Sequence, residues 1–251
     1  MKQSLSTLVT AFGLSLLLSA PVLATCPADS VQVGPICVDK YEASVWSIPA
    51  NKTSLLNKVK NGTATLNNLT SGGATQHGAL GSDYPCSEDG NDCKDEIHAV
   101  SIPGVIPSRL ITWFQAQQAC ANSGKRLLTN AEWQMAAAGT PDGNPCNVSS
   151  NQLGFTGTTG CVSNWGAFDM VGNAYELVAD WTPLASGGCA ATWLGFSDDL
   201  VCWSGVGTSG QVGAVTRGGS AFNGANAGVF HLTGSGPAAG VGGAVGFRCG
   251  Q

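Results

Sequence analysis

The sequence has little charge, few histidines and no C-x-x-C motif, and each shortage excludes a class of protein. Only 11% of the 251 residues are charged, with 11 lysines and arginines against 16 acidic residues. This net charge of −5 makes nucleic acid an unexpected partner, because neutralising phosphates needs clustered cations. The three histidines, His77, His98 and His231, are scattered, so the pattern is not that of a zinc site.

After the N-terminus, no segment is long and apolar enough to span a membrane. Residues 8–20 form a short apolar run, and Val22-Leu23-Ala24 supplies the small residues typical of a signal-peptidase site. We therefore predict a signal peptide over residues 1–24 and export of the remaining chain to the periplasm, the cell surface or the medium. Lipid anchoring at Cys26 is an alternative, although Thr25 fits a lipoprotein signal poorly.

The ten cysteines all follow the predicted signal peptide. An even number of cysteines in an exported chain indicates disulfides. Joining near neighbours, and then the two cysteines that remain, predicts the pairs Cys26–Cys37, Cys86–Cys93, Cys146–Cys161, Cys189–Cys202 and Cys120–Cys249. Spacing alone does not determine connectivity, so other pairings stay open at this stage.

Two helices are predicted from capping motifs at their N-termini. Thr112 with Gln115, and Thr129 with Glu132, each form a capping box that satisfies backbone N–H groups. Short strand-like stretches separated by glycine-rich loops follow residue 140. Residues 51–100 lack hydrophobic periodicity and are predicted to be a polar surface insertion with a solvated acidic loop. The tryptophans on the patterned segments are predicted to be core residues: Trp113, Trp133, Trp165 and Trp181.

Four motifs in order resemble those of the sulfatase-modifying-factor family, which includes the formylglycine-generating enzymes. Gly124–Trp133 is similar to G-K-R-L-P-T-E-A-E-W, and Phe168–Leu177 is similar to D-M-x-G-N-V-W-E-W. Arg217–Ser220 and Gly246–Cys249 match R-G-G-S and G-F-R-C. The resemblance implies a single α+β domain over residues 25–251, with an irregular C-type-lectin-like fold of two helices, short antiparallel strands and long glycine-rich loops.

The resemblance also implies a structural calcium ion near the second motif. The family binds the ion there through a side chain, two backbone carbonyls and a glutamate, all hard oxygen ligands of the kind that calcium prefers. The matching positions here are Asp169, Gly172, Ala174 and Glu176. The alternative is that Asp169 caps a turn and that Glu176 pairs with a cation such as Lys125 or Arg126.

The catalytic groups of the family are missing. Its enzymes use a copper-binding pair of redox cysteines between R-G-G-S and G-F-R-C, and no other side chain replaces a thiolate in that role. Residues 221–245 contain no cysteine, and isolated histidines do not supply the H-x-x-x-H-x-E cluster of the iron-dependent relatives. Gly205–Gly210 fits G-x-G-x-x-G but shows no strand before it and no helix after it. We therefore expect no copper, haem or nucleotide and no catalytic residue, with an oxidoreductase of this family as the alternative.

Residues 221–244 occupy the position of the family's active-site surface. They resemble the variable region of ligand-binding proteins that are diversified by retroelements. The expected function is accordingly a secreted, non-catalytic ligand-binding or surface-interaction protein whose partner is a protein or a glycan. Simple packing of a glycine-rich loop, with no ligand, is the alternative. The expected contact residues are Phe222, Asn223, Asn226, Val229, His231, Thr233, Ser235, Trp193 and Trp203.

Overall fold

The computed structural model describes residues 25–183 and 212–251, and the structural statements below concern these ranges. Several predictions made above fall outside them: the signal peptide, the Cys189–Cys202 bond, Trp193, Trp203 and the glycines at 205–210. The side chain of Ser235 is also outside the described part, although the backbone of its strand is within it.

Short strands and short helices alternate along the described chain, so the predicted α+β class is confirmed. The helices are α1 (Thr53–Lys60), α2 (Leu66–Ser71), α3 (Trp113–Asn122) and α4 (Asn130–Ala136). The strands are β1 (Ser30–Val33), β2 (Ile36–Asp39), β3 (Ser44–Ser47), β4 (Thr75–His77), β5 (His98–Val100), β6 (Arg126–Leu127), β7 (Tyr175–Pro183), β8 (Val212–Arg217), β9 (Leu232–Pro237), β10 (Val245–Phe247) and β11 (Cys249–Gly250).

Three small sheets form the framework. Their strand orders are β1-β2-β11-β6, β10-β7-β8-β9 and β4-β3-β5. All pairs are antiparallel except β10 with β7, which is parallel. Strand β11 lies between β2 and β6, so the C-terminal end of the chain closes the sheet that the N-terminal strands begin.

The two predicted capping boxes are present. The Thr112 and Thr129 side chains accept hydrogen bonds from the backbone N–H groups of Gln115 and Glu132, and both reciprocal bonds are formed. Each box satisfies two of the N–H groups that a helix start leaves without partners. Helices α3 and α4 thereby begin where the sequence predicts.

Residues 51–100, which the sequence predicts to be a polar surface insertion, also form regular secondary structure. This segment contains α1, α2, β4 and β5, and it packs its own apolar cluster, in which Leu55, Val59 and Leu69 are buried. The elements escaped prediction because they are short: α1 has eight residues and α2 has six. One amphipathic turn or two give too few residues for a helical period to stand out.

The core prediction for the tryptophans is confirmed for Trp133 and wrong for two others. Trp133 is fully buried, whereas Trp165 and Trp181 are 41% and 47% exposed. Trp113 is half-buried. Apolar character alone does not place a large ring inside, because folded proteins keep much apolar surface in contact with water.

Four of the five predicted disulfides are formed, and the fifth lies outside the described residues. The bonds are Cys26–Cys37, Cys86–Cys93, Cys120–Cys249 and Cys146–Cys161. The thiol that lipid anchoring at Cys26 would require is thus bonded to Cys37. No described cysteine is free.

Among the helices of the described ranges, none combines the length and the apolar character that crossing a membrane requires.

Candidate functional site

The loop between β8 and β9, residues 218–231, contains most of the expected contact residues. It begins with Gly218 and Gly219, both with a φ near +80°. A Cβ on Gly218 would lie 2.6 Å from the Met170 carbonyl oxygen, and one on Gly219 would lie 2.7 Å from the Ala227 Cα. Only glycine combines this backbone conformation with such close approach.

Arg217 holds the two ends of this β8–β9 loop together. Its Nε donates to the His231 carbonyl at 2.9 Å, and Nη2 donates to the Val229 carbonyl at 2.9 Å. The guanidinium lies 4.5 Å from the centroid of the Trp133 ring and also bonds to the side chains of Asn130 and Gln134 on α4. A fixed, buried cation of this kind ties the loop to the helix beneath it.

Asn173 fixes the other side of the loop. Its carbonyl accepts the Ala221 N–H at 2.9 Å, and its Oδ1 accepts the Gly154 N–H at 2.7 Å. Its amide nitrogen donates to the buried Glu42 carboxylate. The β8–β9 loop and the neighbouring loop at residues 147–155 therefore share one anchor.

The expected contact residues differ in how they meet the solvent. Phe222 is 51% exposed, whereas Asn223, Asn226, Val229 and Thr233 are half-buried. Val229 packs against two core clusters, and its N–H donates to Asp142 at 2.9 Å. Among the expected contact residues whose side chains the structure describes, Phe222 therefore has the largest apolar surface open to a partner.

His231 lies beneath this surface, with only 1% of its area exposed. Its Nδ1 is 2.5 Å from the Asn226 carbonyl oxygen, an acceptor, so Nδ1 carries the proton. Burial lowers the pKa of His231, so the ring is neutral at pH 7. The ring packs 5.5 Å from that of Tyr175, whose hydroxyl accepts a hydrogen bond from the Asn223 side chain.

Sequence reasoning missed two residues of this region, Tyr175 and Phe155. Tyr175 is half-buried and links His231 to Asn223. Phe155 is 56% exposed and follows Gly154, which bonds to Asn173. Tyr175 lies within the Phe168–Leu177 motif, at the position of its first tryptophan, so the motif could have indicated it. No sequence pattern marks Phe155, whose loop is joined to this region through Asn173.

A buried charge network lies under the site. Arg248 forms two bonds with the Glu176 carboxylate, at 2.7 and 2.5 Å, and Trp133 Nε1 donates to the same group at 2.6 Å. Burial raises the pKa of Glu42 well above its usual range, and the nearby carboxylates of Asp169 and Glu176 raise it further. Burial also raises the pKa of Asp169.

The carboxylates that the family resemblance implies as calcium ligands belong to this network. All four carboxylate oxygens of Asp169 and Glu176 already accept hydrogen bonds: those of Asp169 from Gly157 N–H and the Thr159 hydroxyl, those of Glu176 from Arg248 and Trp133. Calcium takes six to eight oxygen ligands, and an ion here would have to share the Glu176 carboxylate with the Arg248 cation. The calcium ligand set of Asp169, Gly172, Ala174 and Glu176 stays a prediction, whereas Glu176 pairs with Arg248 rather than with Lys125 or Arg126.

Comparison with known proteins assigns the larger part of the chain. Residues 86–251 match the model of the family described as "Sulfatase-modifying factor enzyme 1-like domain". One similar protein is the formylglycine-generating enzyme of Thermomonospora curvata, 31% identical over 97 residues, which cover 28% of this chain and 32% of that protein.

Other similar proteins match over different fractions of their own length. The serine/threonine-protein kinase pkn1 of Chlamydia caviae is 37% identical over 81 residues, covering 28% of this chain and 13% of the kinase. Among solved structures, the Major Tropism Determinant P3c variant aligns over 89% of this chain and 52% of its own, at 15% identity and a TM-score of 0.49. The chain thus spans about a half or less of these relatives.

Proposed function

The chain belongs to the family of sulfatase-modifying factor enzyme 1-like domains, and from this premise we propose that it is an exported, non-catalytic ligand-binding protein. The β8–β9 loop, residues 218–231, supplies the binding surface. The disulfides of the chain suit an oxidising compartment outside the cytoplasm.

The observation that carries the proposal is the chemistry of the segment where the family resemblance implies redox cysteines. Residues 221–245 contain mostly alanine, glycine, asparagine and apolar residues, with one histidine, one threonine and one serine, but no cysteine. The eight described cysteines are all in disulfides, so none of them offers a thiolate to a soft metal ion. This surface is therefore suited to contact with a partner and not to thiol redox chemistry.

The rigidity of the loop supports the same proposal. Arg217, Asn173 and the two glycines hold residues 218–231 in one conformation before any partner arrives. Preorganisation reduces the entropy that binding must remove. The exposed phenyl rings of Phe222 and Phe155, carried by the two loops that Asn173 anchors, supply apolar contact area for a protein or a glycan.

The test is a binding screen followed by substitution. The chain without its predicted signal peptide is applied to protein and glycan arrays, and each hit is repeated with Phe222→Ala, Phe155→Ala and the control Trp165→Ala. Trp165 is an exposed ring that belongs to neither loop. We expect Phe222→Ala to weaken binding about tenfold or more. If the folded protein binds nothing on any array, or if none of the loop variants weakens the hits, the proposal is rejected.

The alternative function is an oxidoreductase of the same family. It is favoured by the match to a formylglycine-generating enzyme. That match covers less than one third of either chain, and the enzyme's activity is accordingly an alternative proposal here and not an assignment.

A further inference from the structure

A second candidate site lies at the opposite end of the β7–β8 pair. Glu176 pairs with Arg217 at the end that carries the β8–β9 loop, whereas Trp181 pairs with Ala214 towards the other end. There, Trp113, Phe114 and Trp181 form a cluster of three rings. Their centroids are separated by 4.9 Å for the two tryptophans, 5.6 Å for Trp113 with Phe114, and 5.8 Å for Phe114 with Trp181.

A groove of about 400 Å³ opens beside this aromatic cluster. Trp113 and Phe114 form part of its wall, and the rest is polar, with Asp89, Asn91, Gln117 and Gln118 among the lining residues. This volume is in the range of small-molecule sites. Gln117 and Gln118 are half-buried, and their side chains make no hydrogen bond to any described residue.

The loop wall of the groove is held by contacts with helix α3 and by hydrogen bonds of Asp89 with Ser87 and Asn91 within the loop. The disulfide Cys86–Cys93 closes the acidic loop that forms one wall. Helix α3 holds that loop: Thr112 donates to the Glu88 carbonyl at 2.6 Å, Gln115 to the Cys86 carbonyl at 3.1 Å, and Asn122 to the Cys93 carbonyl at 2.8 Å. The wall is therefore in place before a ligand binds.

The backbone also orients the aromatic cluster. The Trp113 indole N–H donates to the Val178 carbonyl at 2.8 Å, which fixes the ring. The register of β7 against β8 shifts between Leu177 and Trp181. Such an irregularity re-aims the side chains that follow it, and Trp181, 47% exposed, lies just after this one.

These features together specify the chemistry of the ligand. Aromatic faces carry partial negative charge and attract the C–H face of a pyranose ring. The amides of Gln117 and Gln118 offer donors and acceptors to hydroxyl groups, whereas the Asp89 carboxylate already accepts hydrogen bonds from Ser87 and Asn91. Asp89 and Lys94 contribute one charge of each sign, so the groove favours no net charge on its ligand. We propose that this groove binds a neutral oligosaccharide, with its sugar rings against Trp113 and Phe114, the two lining rings that Trp181 packs against.

Isothermal titration calorimetry of the chain without its predicted signal peptide tests the proposal. The ligands are cellohexaose, chitohexaose, maltohexaose and mannohexaose. We expect at least one of these sugars to bind. Trp181→Ala should weaken that binding about tenfold or more, and so should the double substitution of Gln117→Ala with Gln118→Ala. The double variant removes side chains from the helix surface, so it keeps the test sound even if Trp181→Ala disturbs folding. The control Trp165→Ala, at a comparably exposed tryptophan, should bind as the wild type does.

The outcome separates this site from the surface of the proposed function. Phe222→Ala should leave oligosaccharide binding unchanged. No binding of the four sugars, or binding that survives both groove variants, would overturn the inference. Loss of sugar binding in Phe222→Ala alone would also overturn it, while supporting the β8–β9 loop as the binding surface.

Discussion

Arg248 is a fully buried cation that joins three parts of the chain. Its guanidinium bonds to the Glu176 carboxylate and to the carbonyl oxygens of Asp39 and Phe168. The pair lies under the β8–β9 loop and fixes β7 against the C-terminal segment. Because both ions are out of water, the pair is costly to break even though it adds little net stability by itself.

We expect Arg248→Met to lower the free energy of unfolding by about 3–5 kcal/mol, since it leaves Glu176 as a buried carboxylate without its cation. Arg126→Met is the matched control. It removes a similar two-bonded pair with Glu132, but the Arg126 side chain is 42% exposed, and the expected loss is less than about 1 kcal/mol. Urea unfolding measures both, and equal losses would contradict the assignment of Arg248 as the structural ion.

A second buried network predicts a pH dependence. Lys125 lies 2.5 Å from carboxylate oxygens of both Asp29 and Asp39. Burial raises the pKa of Asp39 from 3.8 to about 6, against the opposing effect of Lys125. The folded state thus binds this proton more tightly than the unfolded chain does. The resulting stabilisation is complete below pH 3.8 and is lost as the pH rises to about 6.

Thermal melts between pH 4.5 and 6.5 test this dependence. We expect stability to fall as the pH rises, by at most about 3 kcal/mol from this group, and Asp39→Asn to flatten the slope. Glu132→Gln is the control, because Arg126 lowers the pKa of Glu132 to about 2. That variant should change the level of stability and leave the slope in this window as it is. An unchanged slope in Asp39→Asn would refute the assignment.

The calcium prediction is tested at the same scale. Because Arg248, Trp133, Gly157 and Thr159 already donate to the carboxylates, we expect a chelator to leave the melting midpoint unchanged. A midpoint that falls with chelator and recovers with added calcium would instead support the predicted calcium site at Asp169 and Glu176.

At the scale of elements, the β8–β9 loop depends on two consecutive glycines. Gly219→Ala would force a positive φ on alanine and place its Cβ against Ala227. We expect a loss of about 1–3 kcal/mol and weaker binding of any array ligand. Gly236→Ala is the control, because a Cβ there meets open space. Equal stability of the two variants by chemical unfolding would mean that the loop is not held as described.

Elements with a local chemical signature could be predicted from the sequence. The capping boxes at Thr112 and Thr129 act over four residues, so they identify α3 and α4 directly. The exposed position of Trp181 follows a strand irregularity, and the link between the loop at residues 147–155 and the β8–β9 loop depends on the anchor at Asn173. Such features arise from contacts between distant segments, which no local pattern records.

At the scale of the whole molecule, disulfides compensate for a fold made of short elements. Cys120–Cys249 joins residues 129 apart, whereas Cys86–Cys93 joins residues seven apart. A bond that closes a longer loop restricts the unfolded chain more strongly. The first bond therefore stabilises the entire domain, and the second mainly shapes the oligosaccharide groove.

Paired serine substitutions separate these roles. Loop entropy predicts a loss of about 5 kcal/mol on removing Cys120–Cys249 and about 2–3 kcal/mol on removing Cys86–Cys93. Oligosaccharide titration of the second variant should show weaker binding, because its groove wall is no longer closed. The reverse order of stabilities would contradict this division of roles.

The central claim is that a sulfatase-modifying factor enzyme 1-like domain acts here by binding and not by thiol chemistry. Its most direct test is incubation of the copper-treated protein with oxygen and a cysteine-containing sulfatase peptide, read by mass spectrometry for formylglycine. The formylglycine-generating enzyme of Thermomonospora curvata serves as the positive control. The account predicts no formylglycine above the level in peptide alone, and turnover of the peptide by this protein would contradict it.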